Sequence, residues 1–100
     1  MDIQSLEIFI KTAELLHFGK ASRACNLSPS ALTRAIQRLE EEMGQPLFIR
    51  DNRTVVLTDA GTQLLRYARN AVREWDEFQN GLSAKEAISG TLSIYASITA

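Results

Sequence analysis

Near the start of the chain, apolar residues fall at Ile3, Leu6, Phe9, Ile10, Ala13 and Leu16, a spacing that returns to one face of a helix. This predicts a helix over Ile3–Leu16 that ends near His17-Phe18-Gly19, with Gly19 as the natural break. A short second helix is expected over Lys20–Cys25, and Asn26 suits the turn after it because Asn takes positive φ at little cost. Ser28 is placed to cap a third helix, with Pro29 at its first position and Leu32, Ile36, Leu39 and Met43 along one face. Gly44 and Pro46 stop that helix. Leu47–Ile49 and Val55–Leu57 are short β-prone runs joined by a turn, Asp51-Asn52-Arg53-Thr54.

Thr58 then caps a fourth helix, with Asp59 favourable at its positive end. The helix is expected from about Asp59 to a point between Asn80 and Ala87, Gly81 leaving its end open. Its apolar positions are Leu64, Ala68, Ala71, Trp75, Phe78 and Leu82, a heptad stripe over nearly three repeats. Such a helix would be roughly 35–40 Å long, at about 1.5 Å per residue. The segment before it is too small to cover the whole stripe, which points to a partner helix, most simply the same helix of a second chain. The alternative is an intramolecular core. Ala87-Ile88-Ser89-Gly90 reads as a linker, and Thr91–Tyr95 alternates like a strand without a partner, as expected of a piece of a longer protein.

Residues Ser22–Arg34 therefore read as helix, tight turn and helix, the layout that pushes a helix into the DNA major groove. Phe48–Gly61 reads as a hairpin with arginines at and near its tip, followed by a helix start. The expected fold is mainly α: a winged helix-turn-helix, with a three-helix core and a two-stranded wing, followed by a long dimerisation helix.

Composition changes this picture little. The apolar share of 45% and charged share of 23% are ordinary for a globular chain of 100 residues. No apolar run approaches the roughly 18 residues of a membrane span, so no membrane partner is expected. Met1-Asp2-Ile3-Gln4 opens no secretory signal, and a single cysteine, Cys25, fits a reducing cytoplasm. Charge is more telling. The net charge is −1, yet Lys20–Arg38 holds Lys20, Arg23, Arg34 and Arg38 with no acid, while Glu40, Glu41 and Glu42 sit at the far end of the third helix. One basic face on a nearly neutral chain suits a binder that discriminates rather than a coating polycation.

Within that face, Ser30, Ala31, Thr33 and Arg34 occupy the first turns of the third helix, which reach base edges in the groove. Arg34 could grip a guanine edge, and the methyls of Ala31 or Thr33 could touch a thymine methyl. Ser28, Pro29 and Ser30 lie at the amino end, where a phosphate can be held. Arg38 suits the backbone, and Arg50 and Arg53 suit phosphates or a narrow minor groove. Bland alternatives stand beside these: Arg34 and Arg38 as solvated helix charges, Arg38 paired with Glu42, Arg50 bracing the hairpin through Asp51, Ser28 as a structural cap alone. Arg66, Arg69 and Arg73 read as a solvated ridge with Arg73 near Glu77, His17 as a helix-end residue, and Cys25 as a small packed hydrophobe. With one His, no paired Cys, no metal-spaced cluster and no phosphate-cradling glycine loop, neither an enzyme, a metal nor a cofactor is expected. A helical interaction module would explain the Trp75 stripe but not Pro29–Arg38 or the hairpin arginines.

Arg34-Ala35-Ile36-Gln37-Arg38-Leu39-Glu40, Gly44-Gln45-Pro46-Leu47-Phe48-Ile49-Arg50 and Leu57-Thr58-Asp59-Ala60-Gly61 resemble the N-terminal part of LysR-type transcriptional regulators. The likeness covers almost the whole chain. Asp51-Asn52-Arg53-Thr54 and Tyr95–Ala100 look most like the branch that activates genes of branched-chain amino-acid synthesis. The resemblance implies a DNA-binding domain over 1–58, a linker and dimerisation helix over 59–87, and over 88–100 a hinge and the first strand of a truncated effector-binding domain. It also implies a homodimer, often paired into a tetramer, and a small-molecule effector bound by the missing domain, whose pocket would begin near Ser97 and Thr99. Ser22 and Cys25 stand where the family commonly has Ala and Leu, so looser packing is expected around the second helix. Pro29-Ser30 replaces the common Gln or Gln-Pro, so base preference does not carry over from a relative.

Overall fold

The computed structural model describes residues 1–89. Its elements are α1 (Ile3–Leu15), α2 (Phe18–Ala24), α3 (Pro29–Met43), β1 (Phe48–Arg50), β2 (Val55–Leu57) and α4 (Asp59–Ser89). The expected strand Thr91–Tyr95 and the effector positions Ser97 and Thr99 lie outside the described residues.

Capping chemistry sets the boundaries. Asp2 accepts a 2.8 Å hydrogen bond from the Ser5 amide at the start of α1, and Leu16 ends the helix in the left-handed region at φ 49°. The break between α1 and α2 therefore falls at Leu16-His17 and not at Gly19, which lies in the first turn of α2. The reason is His17: its Nδ1 accepts from the Lys20 amide at 2.9 Å and caps α2. That bond requires an imidazole with its lone pair on Nδ1. Asn26 takes φ 57° in the following turn, and Gly44 ends α3 at φ 71° with its amide bonded to the Glu40 carbonyl.

The core gathers Leu6, Phe9 and Ala13 of α1, Ile36 and Leu39 of α3, Leu47 and Phe48 at the start of the wing, and Leu64 and Ala68 of α4. The buried cluster thus draws on three helices, α1, α3 and α4, while Phe18 of α2 packs against it partly buried. Burial of this kind stabilises by about 1.5–3 kcal/mol for each large apolar side chain. Ser22, at 2% exposure, is accommodated because its hydroxyl donates to the Gly19 carbonyl at 2.8 Å. Cys25 is outside the core: it forms the C-cap of α2, half-buried in a shallow cleft with Gln4, Ile8, Lys11 and Leu27. Burial raises its thiol pKa, which disfavours the reactive thiolate.

The wing is an antiparallel pair with Phe48 opposite Leu57, Ile49 opposite Val56 and Arg50 opposite Val55. β1 begins one residue later than the apolar run suggests, because the Leu47 backbone is engaged elsewhere. Its amide donates to Glu40 Oε2 at 2.8 Å, and its carbonyl accepts from the Thr58 amide at 3.0 Å. Thr58 also donates its hydroxyl to the Pro46 carbonyl at 2.7 Å while accepting from the Gly61 amide at 3.0 Å. Gly61 is buried against this junction, and a Cβ there would sit 2.2 Å from the Leu47 carbonyl oxygen.

α4 continues through Gly81 and takes in Ala87–Ser89, three residues that read as linker. At about 1.5 Å per residue its 31 residues span about 46 Å. Its heptad stripe divides. Leu64 (7% exposed) and Ala68 (0%) are core residues packed inside the chain, so the dimerisation role expected of them is corrected. Ala71 is half-buried at the boundary, whereas Trp75 (42%), Phe78 (59%) and Leu82 (44%) are open to solvent. The physical cause is reach: the first part of α4 packs along α1, and the helix then runs on past its support.

Candidate nucleic-acid interface

The basic face is built by anchoring one side of α3. Leu32, Ile36 and Leu39 are buried, so the helix turns Ser30, Arg34, Gln37 and Arg38 outward. α2 holds the entry to α3 through a tight turn, in which the Asn26 amide bonds to the Arg23 carbonyl and the Leu27 amide to the Ser22 carbonyl. Ser28 caps α3 as expected, its hydroxyl accepting from the Ala31 amide at 3.1 Å and lying 3.3 Å from the Ser30 hydroxyl. Pro29 and Ser30 are exposed, while Ala31 and Thr33 are half-buried on the flanks of the helix.

Arg34 and Arg38 have no carboxylate within ion-pair distance among the described residues. Arg38 does not pair with Glu42, whose Oε2 instead binds the N-terminal amine at 2.9 Å. Glu40 is likewise taken, its Oε2 accepting from the Leu47 amide at 2.8 Å and the Phe48 amide at 3.4 Å. These acids at the far end of α3 are engaged with the fold and leave the basic face unneutralised.

At the wing tip, Asp51 Oδ1 accepts from the Arg53 and Thr54 amides, both at 2.8 Å, and from the Thr54 hydroxyl at 3.0 Å. These bonds favour the carboxylate and lower the Asp51 pKa below its ordinary value. The turn is closed by the Asp51 amide to the Thr54 carbonyl at 3.1 Å, which leaves the Arg53 side chain exposed at the tip. Arg50 is not braced through Asp51, whose oxygens serve its own turn. Its guanidinium lies 4.2 Å from the centroid of the Phe18 ring, across a cleft that also includes Thr33, Gln37, Pro46 and Phe48. Arg50 thus belongs to the flank of α3 rather than to the wing tip.

Several contributors escape sequence reasoning. Gln37 lies three residues after Arg34 on the outward face, and helical spacing alone could have named it. Phe18 and Glu40 had no such signal, since both act on the wing across long stretches of chain. On α4, Arg69 pairs with Glu14 of α1 at 3.5 Å, while Arg73 and Glu77 form no ion pair. The described residues contain no group of three or more His, Cys, Asp or Glu side chains placed to hold a metal. No described helix is long and apolar enough to cross a membrane.

This geometry recurs in known proteins. Residues 3–62 match the family described as "Bacterial regulatory helix-turn-helix protein, lysR family". The chain is 46% identical, over its full length, to the HTH-type transcriptional activator IlvY of Salmonella typhimurium and to the HTH-type transcriptional regulator IlvY of Escherichia coli. It spans about a third of the length of these curated relatives, 34% in each case. Among solved structures, a CbnR_DBD–DNA complex superposes with a TM-score of 0.80 at 29% identity, covering 85% of this chain and 98% of that one. A BenM_DBD/catB site 1 DNA complex gives 0.78 at 30% identity, covering 87% and 96%. Sequence blocks, winged helix-turn-helix geometry and these likenesses agree: the chain belongs to the LysR family of bacterial helix-turn-helix regulators.

Proposed function

We propose that this chain binds double-stranded DNA sequence-specifically as the DNA-binding part of a LysR-type transcriptional regulator acting in the cytoplasm. α3 enters the major groove. Arg34 reads a base edge, the methyls of Ala31 and Thr33 meet thymine methyls, and Ser28, Ser30 and Arg38 meet phosphates. The wing lies at the minor groove, where Arg53 enters the region of strongest negative potential. Trp75, Phe78 and Leu82 pair two chains through α4, with Ala71 at the edge of the contact. Further pairing into tetramers, and response to a small-molecule effector, belong to the full-length protein. Similarity to the IlvY proteins supports an activator, with genes of branched-chain amino-acid synthesis as the expected targets.

The observation that carries this reading is the outward face of α3: exposed Ser30, Arg34 and Arg38, free of acidic partners, on a helix whose other face is locked into the core. Selection of duplexes from a random pool, followed by titration of the winner and a scrambled version, tests it. The expected result is a clear preference for the selected duplex. Equal affinity for both defeats sequence-specific recognition.

A further inference from the structure

Arg50 is a cation held by an aromatic face. Among the described residues no carboxylate pairs with it, and its guanidinium lies 4.2 Å from the Phe18 ring centroid. Phe18 is itself fixed from behind. Its ring meets Phe48 edge-on, with centroids 5.5 Å apart and planes at 76°, and Phe48 packs at 5.5 Å on Phe9, which is fully buried. The His17 cap fixes the backbone at the same point, since Phe18 is the first residue of α2.

A guanidinium held over a ring by cation–π attraction spends none of its N–H donors on a carboxylate, and its forked edges match the two oxygens of a phosphate. A lysine ammonium has no such fork. The contact with the ring also removes part of the rotamer freedom that a long side chain would otherwise lose on binding. Thr33 and Gln37 of α3 line the same cleft, so Arg50 lies beside the helix that carries Arg34.

We infer that Phe18 is a positioning residue for DNA binding: its ring holds the Arg50 guanidinium with its donor edge toward a backbone phosphate flanking the groove that α3 enters. This rests on the DNA-binding reading above. It adds a second role to a residue whose position alone reads as hydrophobic packing.

A double-mutant cycle on the purified protein tests it, with affinity for the selected duplex titrated at several salt concentrations. Phe18→Leu keeps apolar volume but removes the aromatic face; Phe18→Tyr keeps the face. Phe18→Leu is expected to weaken binding about two- to fivefold beside Arg50, and to change nothing in the Arg50→Ala background. Phe18→Tyr should bind as the parent does. Arg50→Lys should lose most of what Arg50→Ala loses, because charge without the planar fork does not use the ring. An equal loss from Phe18→Leu in both backgrounds would reduce the ring to packing and overturn the inference, as would full binding by Phe18→Leu or by Arg50→Lys. If Phe18→Leu proves unfolded by circular dichroism, the comparison of Arg50→Lys with Arg50→Ala decides alone. Absence of any duplex preference in the parent protein overturns instead the reading on which the inference rests.

Discussion

Arg34 projects from the second turn of α3 with five guanidinium donors and no acidic partner, so its hydrogen-bonding capacity is unspent before DNA arrives. A bidentate contact to a guanine edge discriminates by about 1–3 kcal/mol, whereas a phosphate contact weakens all sequences alike. Arg34→Ala is therefore expected to bring the affinities for selected and scrambled duplexes together, as read by gel-shift titration. A parallel loss on both would move Arg34 to the backbone. Gly61 makes a different demand at the same scale. Its missing side chain lets α4 start against the Leu47 carbonyl, and an added Cβ would lie 2.2 Å from that oxygen. Backbone cannot swing aside as a flexible side chain can. Gly61→Ala is expected to lower stability by about 1–3 kcal/mol in denaturant titration, the usual cost of overpacking. An unchanged midpoint would mean that the junction gives way easily.

The elements show which signals travel along a sequence and which do not. Ser28-Pro29, Gly44 and Thr58 were legible as caps and stops because each acts on backbone groups within four residues of itself. Gly19 misled for the opposite reason. A glycine suggests a break, but the bond from the Lys20 amide to His17 moved the break upstream. Glu40 reached seven residues ahead to the Leu47 amide, and Phe18 met Arg50 from another element, and no local period announces such contacts. The wing turn lies between these cases. Asp51 reads as a turn residue, yet the hydrogen bonds it accepts from three donors, the Arg53 and Thr54 amides and the Thr54 hydroxyl, also lower its pKa. Its folded pKa is depressed, so this contribution is fully present above the unfolded value and is lost as pH falls through the folded one. The amide resonances of Arg53 and Thr54 are therefore expected to move together at acid pH, with a midpoint below that of an ordinary aspartate. A midpoint at the ordinary value would remove the tip hydrogen bonds from solution.

For the whole molecule, one stripe on α4 has two environments, buried and exposed, and its spacing could not separate them. A heptad repeat of 3.5 and a helix of 3.6 residues per turn keep apolar side chains on nearly one line over this length. Leu64 and Ala68 use that line against α1 and the wing junction, whereas Trp75, Phe78 and Leu82 carry it beyond the domain. Trp75 and Phe78 already lie side by side, with tilted rings whose centroids are 6.1 Å apart and planes at 33°, and present one apolar surface. Substitutions at the two ends should therefore fail differently. Leu64→Ala opens a cavity and is expected to cost about 2–5 kcal/mol of fold stability. Trp75→Glu places a charge on the exposed line and is expected to shift light-scattering mass toward the monomer while the far-ultraviolet helical signal persists. A dimer has two recognition helices and a monomer one, so Trp75→Glu should also weaken binding to a two-half-site duplex far more than to a single half-site. If Trp75→Glu remains dimeric and binds both duplexes as the parent does, the exposed end of α4 is not the contact that joins two chains, and the paired arrangement must come from another surface.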